Sequence, residues 1–116
     1  MTPTSKSLEA MYIMLCQLKP MNRWNLPNTA EIKFVVTKDE DCYGSYVYDD
    51  DLHVITISSA KCGHFETILK TLAHECCHMK IAGPTGDGEG WDKHHYRFKQ
   101  LSKSIADEFG YDPLEL

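Results

Sequence analysis

The chain has 116 residues, 42% of them hydrophobic and 25% charged, which is the makeup of one ordinary globular domain over residues 1–116. A formal net charge of −5 excludes a broadly basic surface, and with it nucleic-acid binding driven by charge alone. Five cysteines, an odd number with no C-x-x-C pair, fit neither a secreted disulfide framework nor a cysteine zinc ribbon, so a reducing, cytoplasmic setting is expected.

Met1 to Lys6 lacks the basic-then-apolar pattern of a signal peptide, and no apolar stretch approaches the ~20 residues that span a membrane. Thr2 or Thr4 can cap a first helix, with Pro3 in its first turn. Leu8, Met11, Tyr12, Leu15 and Leu18 recur at helical spacing, and Pro20 helps end the run. Asn22 to Asn28 reads as loop. Three predicted strands follow: Glu31 to Thr37, Tyr43 to Tyr48 and Leu52 to Ser58, each rich in β-branched or aromatic residues. Asp49, Asp50 and Asp51 look like a solvated hairpin turn; the alternative, a calcium loop, lacks the remaining oxygen ligands.

The second predicted helix runs from about His64 to Ala82, burying Phe65, Ile68, Leu69, Leu72, Cys76 and Met79. Gly83 caps it and Pro84 prevents continuation. Thr85 to Gly90 is glycine-rich loop. A third helix is expected to start near Asp92, an N-cap residue type, and to stop at Gly110, with Pro113 beyond. Helix, three strands, helix, loop, helix is an α+β order.

His74-Glu75-Cys76-Cys77-His78 is an H-E-x-x-H motif inside the second helix. Residues four apart lie on one helical face, about 6 Å apart along the axis, so two imidazoles can converge on one zinc ion. Glu75 is rotated by about 100° from His74, out of the ligand pair but within reach of a water on the metal. Thr67, Thr71, His74 and His78 form a polar stripe beside the apolar one, as on a helix that floors a cleft.

A catalytic zinc site needs a third protein ligand and an open position. Helical phase places His94 with Phe98, Leu101 and Ile105 on an inward stripe, and His95 with Lys99, Ser102 and Lys103 on a solvent-facing one. His94 is therefore the expected third ligand, on the C-terminal helix. His53 alternates with Ile55 and Ile57 and reads as structural; His64 reads as surface. Cys76 belongs to the core, whereas Cys77, nearer the histidine face, is an alternative ligand whose thiolate would close the site.

This pattern of His74-Glu75-Cys76-Cys77-His78, a glycine-rich loop, then His94-His95-Tyr96-Arg97-Phe98 resembles the SprT-like metallopeptidases, the group that includes Spartan. In that family H-E-x-x-H is followed by a histidine with an aromatic residue four positions later, as His94 and Phe98 are here; Leu101 fits the apolar position after it. The likeness covers about residues 64–105. It implies a zincin-like fold, Zn2+ and proteolysis, in some members of proteins crosslinked to DNA. The compact form is similar to short stand-alone versions in phage and bacteria, which implies a cytoplasmic setting, that of the host if the origin is phage. The metzincin extension is absent, since it needs glycine where Ile81 stands and histidine where Pro84 stands.

The expected function is that of a zinc endopeptidase acting on protein or peptide, with His74, His78 and His94 on the metal and Glu75 as general base. Tyr96, Tyr46 and Tyr48 are candidates to help polarise the oxyanion. The competing readings are a catalytically silent zinc-containing binding module and a metal-dependent hydrolase of a non-peptide amide.

Overall fold

The structure is a computed structural model that describes residues 2–111. Its elements run α1 (Ser5–Cys16), β1 (Ile32–Thr37), β2 (Gly44–Asp49), β3 (Leu52–Ser58), α2 (Phe65–Ala82) and α3 (Tyr96–Phe109), an α+β arrangement of three helices and a three-stranded sheet. A 3₁₀ turn at Met21–Arg23 overlaps the start of the segment 22–28 expected to be loop, and a second at Thr29–Glu31 takes in Glu31, expected in the first strand, so that β1 begins at Ile32. Among the described residues, no helix is long and apolar enough to cross a membrane. Pro113 lies outside the described residues.

Thr4 starts α1 through a reciprocal cap: its Oγ1 accepts from Ser7 N at 3.0 Å, and Ser7 Oγ accepts from Thr4 N at 2.8 Å. Pro3 precedes the cap and is buried. Leu8, Met11, Tyr12 and Leu15 are buried as their spacing requires. The helix stops at Cys16, four residues before Pro20, so Leu18 leaves the stripe and is 44% exposed.

The sheet order is β1-β3-β2, with β3 parallel to β1 and antiparallel to β2. Asp50 and Asp51 form the two-residue hairpin loop between β2 and β3, with φ of 53° and 62°. That pair of left-handed residues matches the strand twist, and aspartate tolerates it better than most side chains. The acidic triple is thus a turn; among the described residues the donor group of metal-site dimensions lies elsewhere. Register aligns Phe34, Ile55 and Tyr46 in one row across the strands, and places Ile32 and Tyr48 beside His53. Alternation puts these side chains on the face that α1 and α2 cover.

The central helix α2 is buried on most sides, and Ile68, Leu72, Cys76 and Met79 form its core stripe. Phe65, expected in that stripe, is the first residue of the helix and is 49% exposed. Gly83 closes the helix. The third helix differs more. Lys93 N bonds Gly90 O in a turn, and His95 keeps extended backbone, so helix begins at Tyr96 rather than near Asp92. Its buried residues are Phe98, Ser102, Ile105 and Ala106. Ser102, expected to face solvent, satisfies its hydroxyl on Lys99 O at 3.2 Å. Gly110, in the left-handed region, ends the helix where the sequence indicated.

Candidate metal centre

His74 and His78 project from successive turns of α2, with ring centroids 5.1 Å apart. Gly44 lets β2 come close to this part of the helix: a Cβ there would meet Thr56 O at 2.6 Å and Thr71 Cγ2 at 3.0 Å. The third imidazole arrives from the other side. His94 Nε2 lies 3.2 Å from His78 Nε2 and 3.2 Å from His74 Nε2. These three form the one group of donors close enough to hold a metal ion among the described residues.

His94 reaches the pair by a route different from the expected one. It sits in the loop before α3, between bends at Lys93 and His95, so the donor set comes from one helix and one loop. Burial grades outward from His78, buried, through His74, half-buried, to His94, exposed. Phe98, in the first turns of α3, lies beneath all three, its ring centroid 4.8, 4.6 and 4.6 Å from those of His74, His78 and His94. This apolar ring gives the three imidazoles a common packing surface.

The protonation pattern fits a cation. His78 Nδ1 lies 2.6 Å from Trp91 O. A carbonyl only accepts, so Nδ1 carries the proton and Nε2 presents a lone pair. Burial holds the His78 imidazole below its usual pKa range, favouring this neutral form. His94 Nε2 faces two other Nε2 atoms and can carry at most one proton. With neutral rings the two contacts therefore cannot both be linear hydrogen bonds, whereas a cation between the rings would engage a lone pair from each. Tetrahedral coordination at ~2.0–2.1 Å places ligand nitrogens about 3.3 Å apart, close to the spacing found.

Glu75 is 5% exposed and lines the same cleft. Burial pushes its carboxyl up to about 8. Nearby positive charge would restore the carboxylate. The cleft, about 340 Å³, is also lined by Gly44, Ser45 and Tyr46 of β2 and by Trp91 and Asp92. A larger cavity of about 490 Å³ lies against the C-terminal part of α2, between Trp24 to Glu31 and Met79 to Pro84, and contains none of these groups. There Lys80 Nζ donates to Trp24 O at 2.7 Å.

The remaining sequence candidates separate cleanly. Cys77 is fully buried in the core, its thiol pushed up by burial, and is not part of the donor group. His95 is exposed, with its Nε2 against Gly90, where a Cβ would approach to 2.5 Å. His64 is exposed at the start of α2. His53 is buried and shares a 2.7 Å hydrogen bond with the Tyr46 hydroxyl. Of the three tyrosines, Tyr46 alone lines the cleft; Tyr48 packs on the His53 ring, and Tyr96, 75% exposed, accepts from Gln100 Nε2. Two participants had no sequence signal. Trp91 acts through its backbone, and Asp92, read as a helix cap, stands at the cleft and bears electrostatically on His78.

Compared with known proteins, the chain matches no family model, no curated protein and no solved structure.

Proposed function

We propose that the chain is a zinc-dependent endopeptidase, a compact zincin-like enzyme of the SprT-like type. The reading is carried by one observation: three imidazole nitrogens with 3.2 Å contacts gather beside the Glu75 carboxyl in an open cleft. Three histidines and a free position are a catalytic rather than a structural donor set for zinc. Zinc held there would polarise a scissile carbonyl and lower the pKa of water to about 7.

The chain's own groups supply the rest. His78 is held in the ligating tautomer by Trp91 O, and His74 and His94 complete the donor set. The Glu75 carboxylate takes the proton of the attacking water and passes it to the leaving amine nitrogen. Tyr46 contributes the wall of the cleft, its hydroxyl engaged with His53. Protein or peptide is the favoured substrate because β2 is an edge strand beside the cleft, and a sheet edge can pair with an extended chain. The net charge of −5 gives no support to a role for DNA beyond carrying such substrates. Five unpaired thiols support a reducing, cytoplasmic setting.

The test is cleavage of an unstructured protein by the zinc-loaded chain and by the Glu75→Gln variant. The variant should keep the metal and lose turnover; equal turnover would remove Glu75 from its assigned role. Metal uptake without cleavage would favour a binding module, and turnover confined to small amides would favour a hydrolase of another bond.

A further inference from the structure

We infer that Tyr46 and His53 are positioning residues for the metal centre, which clamp the two ends of the segment 84–91 to the sheet and thereby fix the Trp91 carbonyl and the backbone presenting His94. The inference rests on the metal-centre reading above and extends it to two residues outside the donor set.

A ligand on irregular backbone needs support that a helix would otherwise provide. His94 and the Trp91 carbonyl both follow a stretch containing Gly83, Gly86, Gly88 and Gly90, three of them at positive φ. Glycine-rich backbone has much freedom to lose, whereas a ligand set must be held to within roughly 0.5 Å. The stretch is held from the strands. His53, 1% exposed on the central strand, meets the Tyr46 hydroxyl through Nδ1 at 2.7 Å, and the Pro84 backbone bears electrostatically on the same ring. Tyr46 in turn sets its ring edge-on against Trp91, with centroids 5.6 Å apart and planes at 82°. One dyad thus touches the segment at Pro84 and again at Trp91.

Two further contacts close the gap between those points. Gly88 N donates to Ala82 O at 2.8 Å, and Gly86 lies flat on Tyr48, where a Cβ would fall 2.2 Å from the ring. The choice of histidine at position 53 also calls for a reason. Its neighbours on the same face are Ile55 and Ile57, both fully buried, and an aliphatic side chain there would avoid burying a polar ring. Holding Pro84 and Tyr46 together supplies that reason.

The experiment uses the full chain and two probes, zinc in competition with a chelator and the visible absorption of the Co2+-loaded protein. Tyr46→Phe keeps the ring on Trp91 and removes the hydroxyl. It should leave the far-ultraviolet dichroism of the metal-free chain unchanged, alter the cobalt band and weaken zinc binding several-fold, by less than the roughly 10–100-fold that follows loss of a ligand's direct hydrogen-bond partner. His53→Leu should do more, and His53→Gln, which keeps an acceptor for the hydroxyl, should fall between it and the wild type. If His53→Leu does not fold, Tyr46→Phe decides. Zinc affinity and cobalt spectrum identical to wild type in Tyr46→Phe would overturn the positioning role and leave the metal centre standing. A wild-type chain that takes up neither ion would overturn the metal reading itself.

Discussion

His78 Nδ1 sits 2.6 Å from the carbonyl oxygen of Trp91, a residue 13 positions further along the chain. That contact decides which nitrogen of His78 faces His94, and so makes the loop ahead of α3 a structural part of the donor set on α2. The expected consequences of the arrangement follow residue by residue.

Replacing His94 with alanine removes a donor and should weaken zinc binding by more than the roughly 10–100-fold seen when only a supporting partner is lost. His95→Ala, one residue away but turned to Gly90, should leave affinity unchanged. Chelator competition on the two purified variants measures both. Equal losses would mean that the ligand assignment between these neighbours is wrong.

Glu75 sets a pH dependence on the metal-free chain. Its folded pKa is raised by burial from 4.5 to about 8, so the folded state binds the extra proton between those values. Its contribution to stability is therefore complete below about 4.5 and is lost as pH rises through about 8, by on the order of a few kcal/mol at ~1.4 kcal/mol per unit. His53 and His78, both lowered by burial, act in the opposite sense: they lose stability as pH falls below 6.5. Subtracting Glu75→Gln from wild type isolates the carboxyl. In chelator-treated urea melts, the variant should gain on the wild type steadily from pH 5 to pH 8.5; a flat difference would show that the carboxyl is not desolvated.

Phe98→Ala empties the floor under three imidazoles. A buried phenylalanine truncated to alanine costs about 3–5 kcal/mol. Thermal unfolding should show that loss, and the variant should also bind zinc more weakly, since the rings lose the surface against which they are set. Retained affinity at reduced stability would confine Phe98 to a packing role.

Thr4→Ala serves as the distant counterpart. It removes the cap of α1 and should lower stability by about 0.5–2 kcal/mol. Zinc affinity and turnover of the folded protein should not change, because α1 lies on the sheet and contributes nothing to the cleft.

Local signals read well where local forces decide. Strand β3 spans Leu52–Ser58 as its alternation indicated, and α2 ends at Gly83 because an apolar helical run meets Gly-Pro. The parallel pairing of β1 with β3 depends on long-range contacts that carry no local mark. Asp92 illustrates a conflict: its type suits a helix start, yet the turn from Gly90 to Lys93 and the extended His95 carry it to the cleft instead. His94 is the instructive case. Helical phase selected it as inward-facing on a helix, and it does meet His74 and His78, but from the loop before α3. Phase was informative because Phe98, on the true helix, anchors the same inward direction. The Trp91 carbonyl was beyond reach, since every residue has one and only the fold selects which is used.

Because the donors come from α2 and from the stretch just ahead of α3, an ion seated among them would act as a fastener between the middle of the chain and its C-terminal third. Stripping it should leave amide exchange slow in β3 while quickening it in α3, so that the last helix loosens as a unit ahead of the sheet. Metal availability would then govern resistance to proteolysis in that region as well as turnover.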